Sequence, residues 1–100
     1  MIILDVSRRG LKLEGRGVLR PGTTCELVAQ IGDFPLRAQV RITRSAASGT
    51  VPDGRGGHQI VYRAGVVIVA MEAEMQRRFD TWLDERTASS DERGDSMIVC

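Results

Sequence analysis

Apolar and polar residues alternate at a period of two over most of the first seventy positions. Residues 35–43 are the clearest case: Leu36, Ala38, Val40 and Ile42 fall on one side, and Arg37, Gln39, Arg41 and Thr43 on the other. That is the pattern of a strand with one face in a core and one in water. Thr24 to Ile31 repeats it, with Cys25, Leu27, Ala29 and Ile31 opposite Glu26 and Gln30. Two shorter apolar segments, Ile2 to Val6 and residues 11–13, flank Ser7-Arg8-Arg9-Gly10, a turn signal that predicts a hairpin. Pro21-Gly22 and Gly32-Asp33 mark the next turns. His58 to Ala70 contains Ile60, Tyr62 and the run GVVIVA, whose β-branched residues predict a strand buried on both faces at its end. Residues 45–57, rich in Gly, Ser and Ala and holding Pro52, predict an exposed, mobile loop between two strands.

At residue 71 the period changes. Met71, Met75, Phe79, Trp82 and Leu83 fall at helical spacing within MEAEMQRRFDTWLDER, with acids in the first turn and Arg86 in the last. This predicts an amphipathic helix of about four turns that packs its aromatic stripe on the sheet. Residues 87–96 are polar and predict disorder, followed by the small apolar patch MIVC. The fold class is therefore mainly β: a small antiparallel barrel with one carboxy-terminal helix over residues 1–86, and a flexible tail over 87–100.

Composition narrows the function. One hundred residues fit one small domain. Fourteen basic residues against thirteen acidic ones give no global field toward nucleic acid or an anionic membrane, so any anion site must be local. Of the basic residues only Lys12 is lysine, and arginine suits planar, bidentate contacts to phosphate or carboxylate. Cys25 and Cys100 are far apart in sequence and have no metal-ligand spacing, so reduced thiols are expected. No signal-peptide pattern and no run of about 18 apolar residues occurs, which predicts a soluble, cytoplasmic protein without membrane insertion. His58 is the only histidine and has no nucleophile pattern beside it, so enzymatic activity is not expected. The acid pairs Glu72/Glu74 and Asp84/Glu85 read as solvated helix charges.

The order of these features resembles the PilZ domain family. The resemblance rests on the Asp-x-Ser-x-x-Gly turn at Asp5, Ser7 and Gly10, the strand LRAQVRITRS, the strand YRAGVVIV, and a final helix with an Arg-Arg pair and late aromatics. It covers Asp5 to about Arg86. It implies a bacterial signalling module that, in many members, binds cyclic di-GMP without a further cofactor. Family members that bind it use the turn motif together with an Arg-x-x-x-Arg segment upstream. A carboxylate at Asp5 can accept from the N1–H and N2–H₂ donors of a guanine, and Ser7 can add a contact. Phosphates and the guanine O6/N7 acceptors call for arginines.

The sequence begins four residues before Asp5, so the resemblance implies a barrel short of its first strand and a site without the upstream arginines. Arg8 and Arg9 lie inside the turn, within reach of a bound anion. Arg16/Arg20 and Arg37/Arg41 repeat the Arg-x-x-x-Arg spacing downstream. An open sheet edge invites pairing, and three remedies are open: a partner or second copy adds a strand, the SMIVC segment folds back, or the chain is part of a longer protein. Self-association is the favoured expectation. The functional expectation is an adaptor with weak or absent cyclic di-GMP binding that works through an unidentified protein partner. The alternative is a genuine receptor whose arginines come from elsewhere. A single-stranded nucleic-acid barrel is a minor reading, since only Phe34 and Tyr62 are free to serve as strand platforms.

Overall fold

A computed structural model describes residues 1–85 and 94–100. β1 (Ile2–Val6) and β2 (Gly10–Gly15) form the first hairpin, and β3 (Thr24–Ile31) and β4 (Phe34–Pro52) the second. β5 (His58–Ala70) returns along β4, α1 (Ala73–Glu85) follows, and β6 (Gly94–Val99) is the last element. The strands pair antiparallel in the order β1-β2-β5-β4-β3-β6 and close into a barrel. The predicted small antiparallel barrel with one helix is therefore what forms.

Alternation in sequence becomes burial in space. Cys25, Leu27, Ala29 and Ile31 of β3 and Leu36, Ala38, Val40 and Ile42 of β4 are all buried, while Arg37, Gln39 and Arg41 are exposed. With Leu11 and Leu13 of β2 they fill the barrel, each large side chain contributing about 1.5–3 kcal/mol by leaving water. α1 adds Phe79, which is fully buried, and half-buried Met75, Trp82 and Leu83. Phe34 stacks on Trp82 at 4.9 Å and on Phe79 at 6.1 Å. Phe34 is thus part of the helix-barrel seam and is not an exposed strand platform.

The expected flexible tail is corrected, and of the three remedies for the missing strand it is the SMIVC segment folding back that the structure shows. Residues 94–99 are strand: β6 pairs with β3 from Glu26↔Val99 to Ile31↔Gly94, and with β1 at Ile2↔Asp95 and Ile3↔Gly94. The N–H and Oγ of Ser96 both donate to the Met1 carbonyl, at 2.8 and 3.0 Å. The position between β1 and β3 is filled, so the open edge on which self-association rested is absent. The pattern hid this strand because it is inverted, with Gly94 and Ser96 facing in and Met97 and Val99 facing out. Arg86 and residues 87–93 of the predicted tail lie outside the described residues.

Three further expectations change. Cys25 and Cys100 are joined in a disulfide, because the β3–β6 register sets them side by side. Residues 45–52 are not a loop: they continue β4 and pair with β5 from Ala46↔Arg63 to Pro52↔His58, a two-stranded arm that stretches the molecule to 46 Å. Both faces of that arm meet water, so it carries no alternation to read. Its tip is fastened by Asp53 Oδ1, which accepts from the N–H groups of Arg55 (2.7 Å) and Gly57 (3.0 Å). Finally, β5 is not buried on both faces at its end, where Val69 and Ala70 are exposed on the barrel's outer surface. No helix among the described residues is long and apolar enough to cross a membrane.

Candidate functional site

The β1–β2 turn is closed by its own serine. Ser7 N–H donates to the Gly10 carbonyl at 2.9 Å, and Ser7 Oγ donates to the same oxygen at 3.2 Å while accepting from Gly10 N–H at 3.3 Å. Asp5 Oδ1 accepts from the adjacent Val6 N–H at 2.9 Å. Gly10 is required for a reason outside the turn: a Cβ there would lie 2.0 Å from the Val66 carbonyl oxygen. The Arg9 carbonyl accepts from Ile68 N–H at 2.7 Å, so the whole turn is fastened to β5.

Strand register extends this turn into a site. Asp5 is opposite Lys12, Lys12 is opposite Gly65, and Gly65 is opposite Arg44, so the four form one row across β1, β2, β5 and β4. Two bulges set the ends of the row. One, between Ile3 and Asp5, lets Leu4 and Asp5 both face outward; the other, between Ile42 and Arg44, does the same for Thr43 and Arg44. Bulges of this kind re-aim side chains beside functional sites. Thr43 Oγ1 donates to the Gly65 carbonyl at 3.0 Å, which pins the second bulge over β5.

The row lies in a groove of about 390 Å³, lined by Asp5, Ser7, Arg9, Lys12, Thr43, Arg44 and Gly65, with Val67 as apolar floor. Three cations face one carboxylate there. Among the described residues Arg9, Lys12 and Arg44 form no ion pair, whereas Arg8, Arg63 and Arg77 do. The lining offers three cationic donors, a carboxylate and two hydroxyls, groups that can hold a polar anion.

Of the residues singled out from sequence, Asp5, Ser7, Gly10 and Arg9 meet in this groove. Arg8 is drawn elsewhere: its guanidinium is bound by Asp84 and lies 3.7 Å from Asp80, both on α1. Neither Arg16/Arg20 nor Arg37/Arg41 lines the groove. Lys12, Thr43, Arg44 and Gly65 were missed. Lys12 was within reach of sequence reasoning, as the outward residue two positions after the turn; the other three depend on register and a bulge. His58 sits on the arm opposite Pro52, away from this groove. A larger cleft of about 500 Å³ between β3, β4, β6 and Met75 has one cation and one acid, Arg37 and Asp95, and is otherwise mostly apolar. It is the bigger space and the poorer anion site.

The chain matches no protein-family model, no curated protein and no solved structure. The reading of the groove therefore rests on its own geometry and on the turn motif.

Proposed function

We propose that this chain is a PilZ-like bacterial signalling module that holds cyclic di-GMP loosely in the groove beside the β1–β2 turn and acts through contacts with a protein partner. One observation carries the reading: the three motif residues Asp5, Ser7 and Gly10 line a groove that also holds Lys12 and Arg44. A guanine nucleotide can bridge such an arrangement, its base edge donating to the carboxylate and its phosphates accepting from the cations.

The binding is weak for two reasons. The groove is an open surface feature, so its charge contacts compete with water and are screened by salt. Arg8, the first arginine of the turn, is already held by Asp80 and Asp84. The same bridge supports the adaptor role, because a ligand that shifts the turn also pulls on α1.

Calorimetric titration with cyclic di-GMP at moderate salt, repeated with Asp5→Ala, tests the proposal. The expected result is saturable binding at tens to hundreds of micromolar, about −5 to −6 kcal/mol, that Asp5→Ala removes. Low-micromolar affinity would instead make the chain a receptor in its own right. A titration silent to about 1 mM, weaker than about −4 kcal/mol, with no amide shifts in NMR spectra, overturns nucleotide binding.

A further inference from the structure

We infer that the outer faces of β2, β5 and β4 form an anion subsite, with Lys12 and Arg44 as its donors on either side of Gly65, that takes a phosphate group of the bound ligand. The inference deepens the function proposed above, on which the guanine part of the ligand rests. It assigns the phosphate to residues outside the turn motif.

Gly65 is flanked directly by Lys12 on one side and Arg44 on the other. A Cβ built on Gly65 would lie 3.2 Å from Arg44 Nε and 3.2 Å from Thr43 Oγ1, so the glycine is what lets those two side chains lie close against β5, with the Arg44 guanidinium held over the strand. The Thr43 hydroxyl is committed to the Gly65 carbonyl and holds the bulge in place. The donors are therefore Arg44, with a planar fork suited to two phosphate oxygens, and Lys12, a point charge across the strand. Arg9 extends the positive lining toward the turn. Asp5, opposite Lys12 at the end of the row, repels anions and sets the polarity of the site: phosphate between Lys12 and Arg44, hydrogen-bond donor of the ligand near Asp5.

The test is amide NMR of the intact chain at low salt, titrated separately with inorganic pyrophosphate and with cyclic di-GMP. Arg44→Ala, Arg44→Gln, Lys12→Ala and Gly65→Ala are compared with Arg37→Ala, which removes a cation from the same strand outside the groove. Gly65→Ala keeps the charge and presses a Cβ on Arg44 and Thr43, displacing the guanidinium from its place over β5; the Arg44 variants leave the backbone untouched in case the alanine perturbs β5. The expected result is that both ligands shift the amides around Lys12, Arg44 and Gly65. Arg44→Ala and Gly65→Ala should weaken both by about tenfold or more, as for a charge-assisted hydrogen bond, with Arg37→Ala within about twofold. If cyclic di-GMP binds and Asp5→Ala removes it while the Arg44 and Lys12 variants stay within about twofold, the subsite is wrong and the proposed function stands. If pyrophosphate alone binds and Arg44→Ala removes it, the subsite stands and the nucleotide reading falls. If neither ligand shifts these amides, both are overturned.

Discussion

Arg8, at the tip of the β1–β2 turn, is bound by Asp84, in the last turn of α1 and 76 residues away in sequence. The turn that carries Asp5 and Ser7 is thereby tied to the helix. Asp80 lies 3.7 Å from the other terminal nitrogen of the same guanidinium, so one arginine spans two carboxylates a helical turn apart.

All three side chains are more than a third exposed, so this bridge orients more than it stabilises. Arg8→Ala is expected to lower stability by less than about 1 kcal/mol in urea unfolding, and by less again at high salt. A double-mutant cycle with Asp84→Ala should return a coupling of the same small size.

Two glycines predict opposite outcomes. Gly10→Ala forces a Cβ against the Val66 carbonyl and should cost about 2 kcal/mol or more, because backbone on one side or the other must move. Gly49→Ala meets nothing within 4 Å and should change stability by less than about 1 kcal/mol, in the stabilising direction. Urea midpoints of the two variants, measured side by side, check both.

The Cys25–Cys100 disulfide spans 75 residues and pins the strand that completes the barrel. Chain-entropy arguments give such a link about 4 kcal/mol. Reduction, or Cys100→Ser, is expected to lower stability on that scale and to speed amide exchange first in β6 and in the facing residues of β1 and β3. Equal exchange rates in oxidised and reduced protein would contradict this role.

Phe79 is fully buried and stands within 6.1 Å of both Phe34 and Trp82. Phe79→Ala should cost about 3–5 kcal/mol and shift the emission of Trp82, the single tryptophan, toward that of a wetter site. Unchanged emission would mean that α1 does not depend on this contact for its seat.

The strands β3 and β4 and the helix were legible because their patterns are strong and local. Leu36, Ala38, Val40 and Ile42 alternate without a break, and Met75, Phe79 and Leu83 recur at helical spacing, so each segment states which face it must bury. β6 was not legible. Its outward Met97 and inward Gly94 and Ser96 invert the usual pattern, and its place is fixed by close packing against β3 and a covalent bond to it. The β4 half of the arm, residues 45–52, was read as a loop because neither face of the arm meets the core.

The sequence by itself determined the turn and its motif: Asp5, Ser7 and Gly10 lie within six consecutive positions, and a serine that closes its own turn needs only neighbours. Tertiary structure alone decided what stands across from them. Lys12, Gly65 and Arg44 come from three strands, and their meeting depends on register and on a one-residue bulge before Arg44, either of which turns a side chain to the other face when it slips by one. It also decided that Arg8 would face α1 and not the groove, since the carboxylates that claim it are brought there only when the helix seats Phe79 in the core.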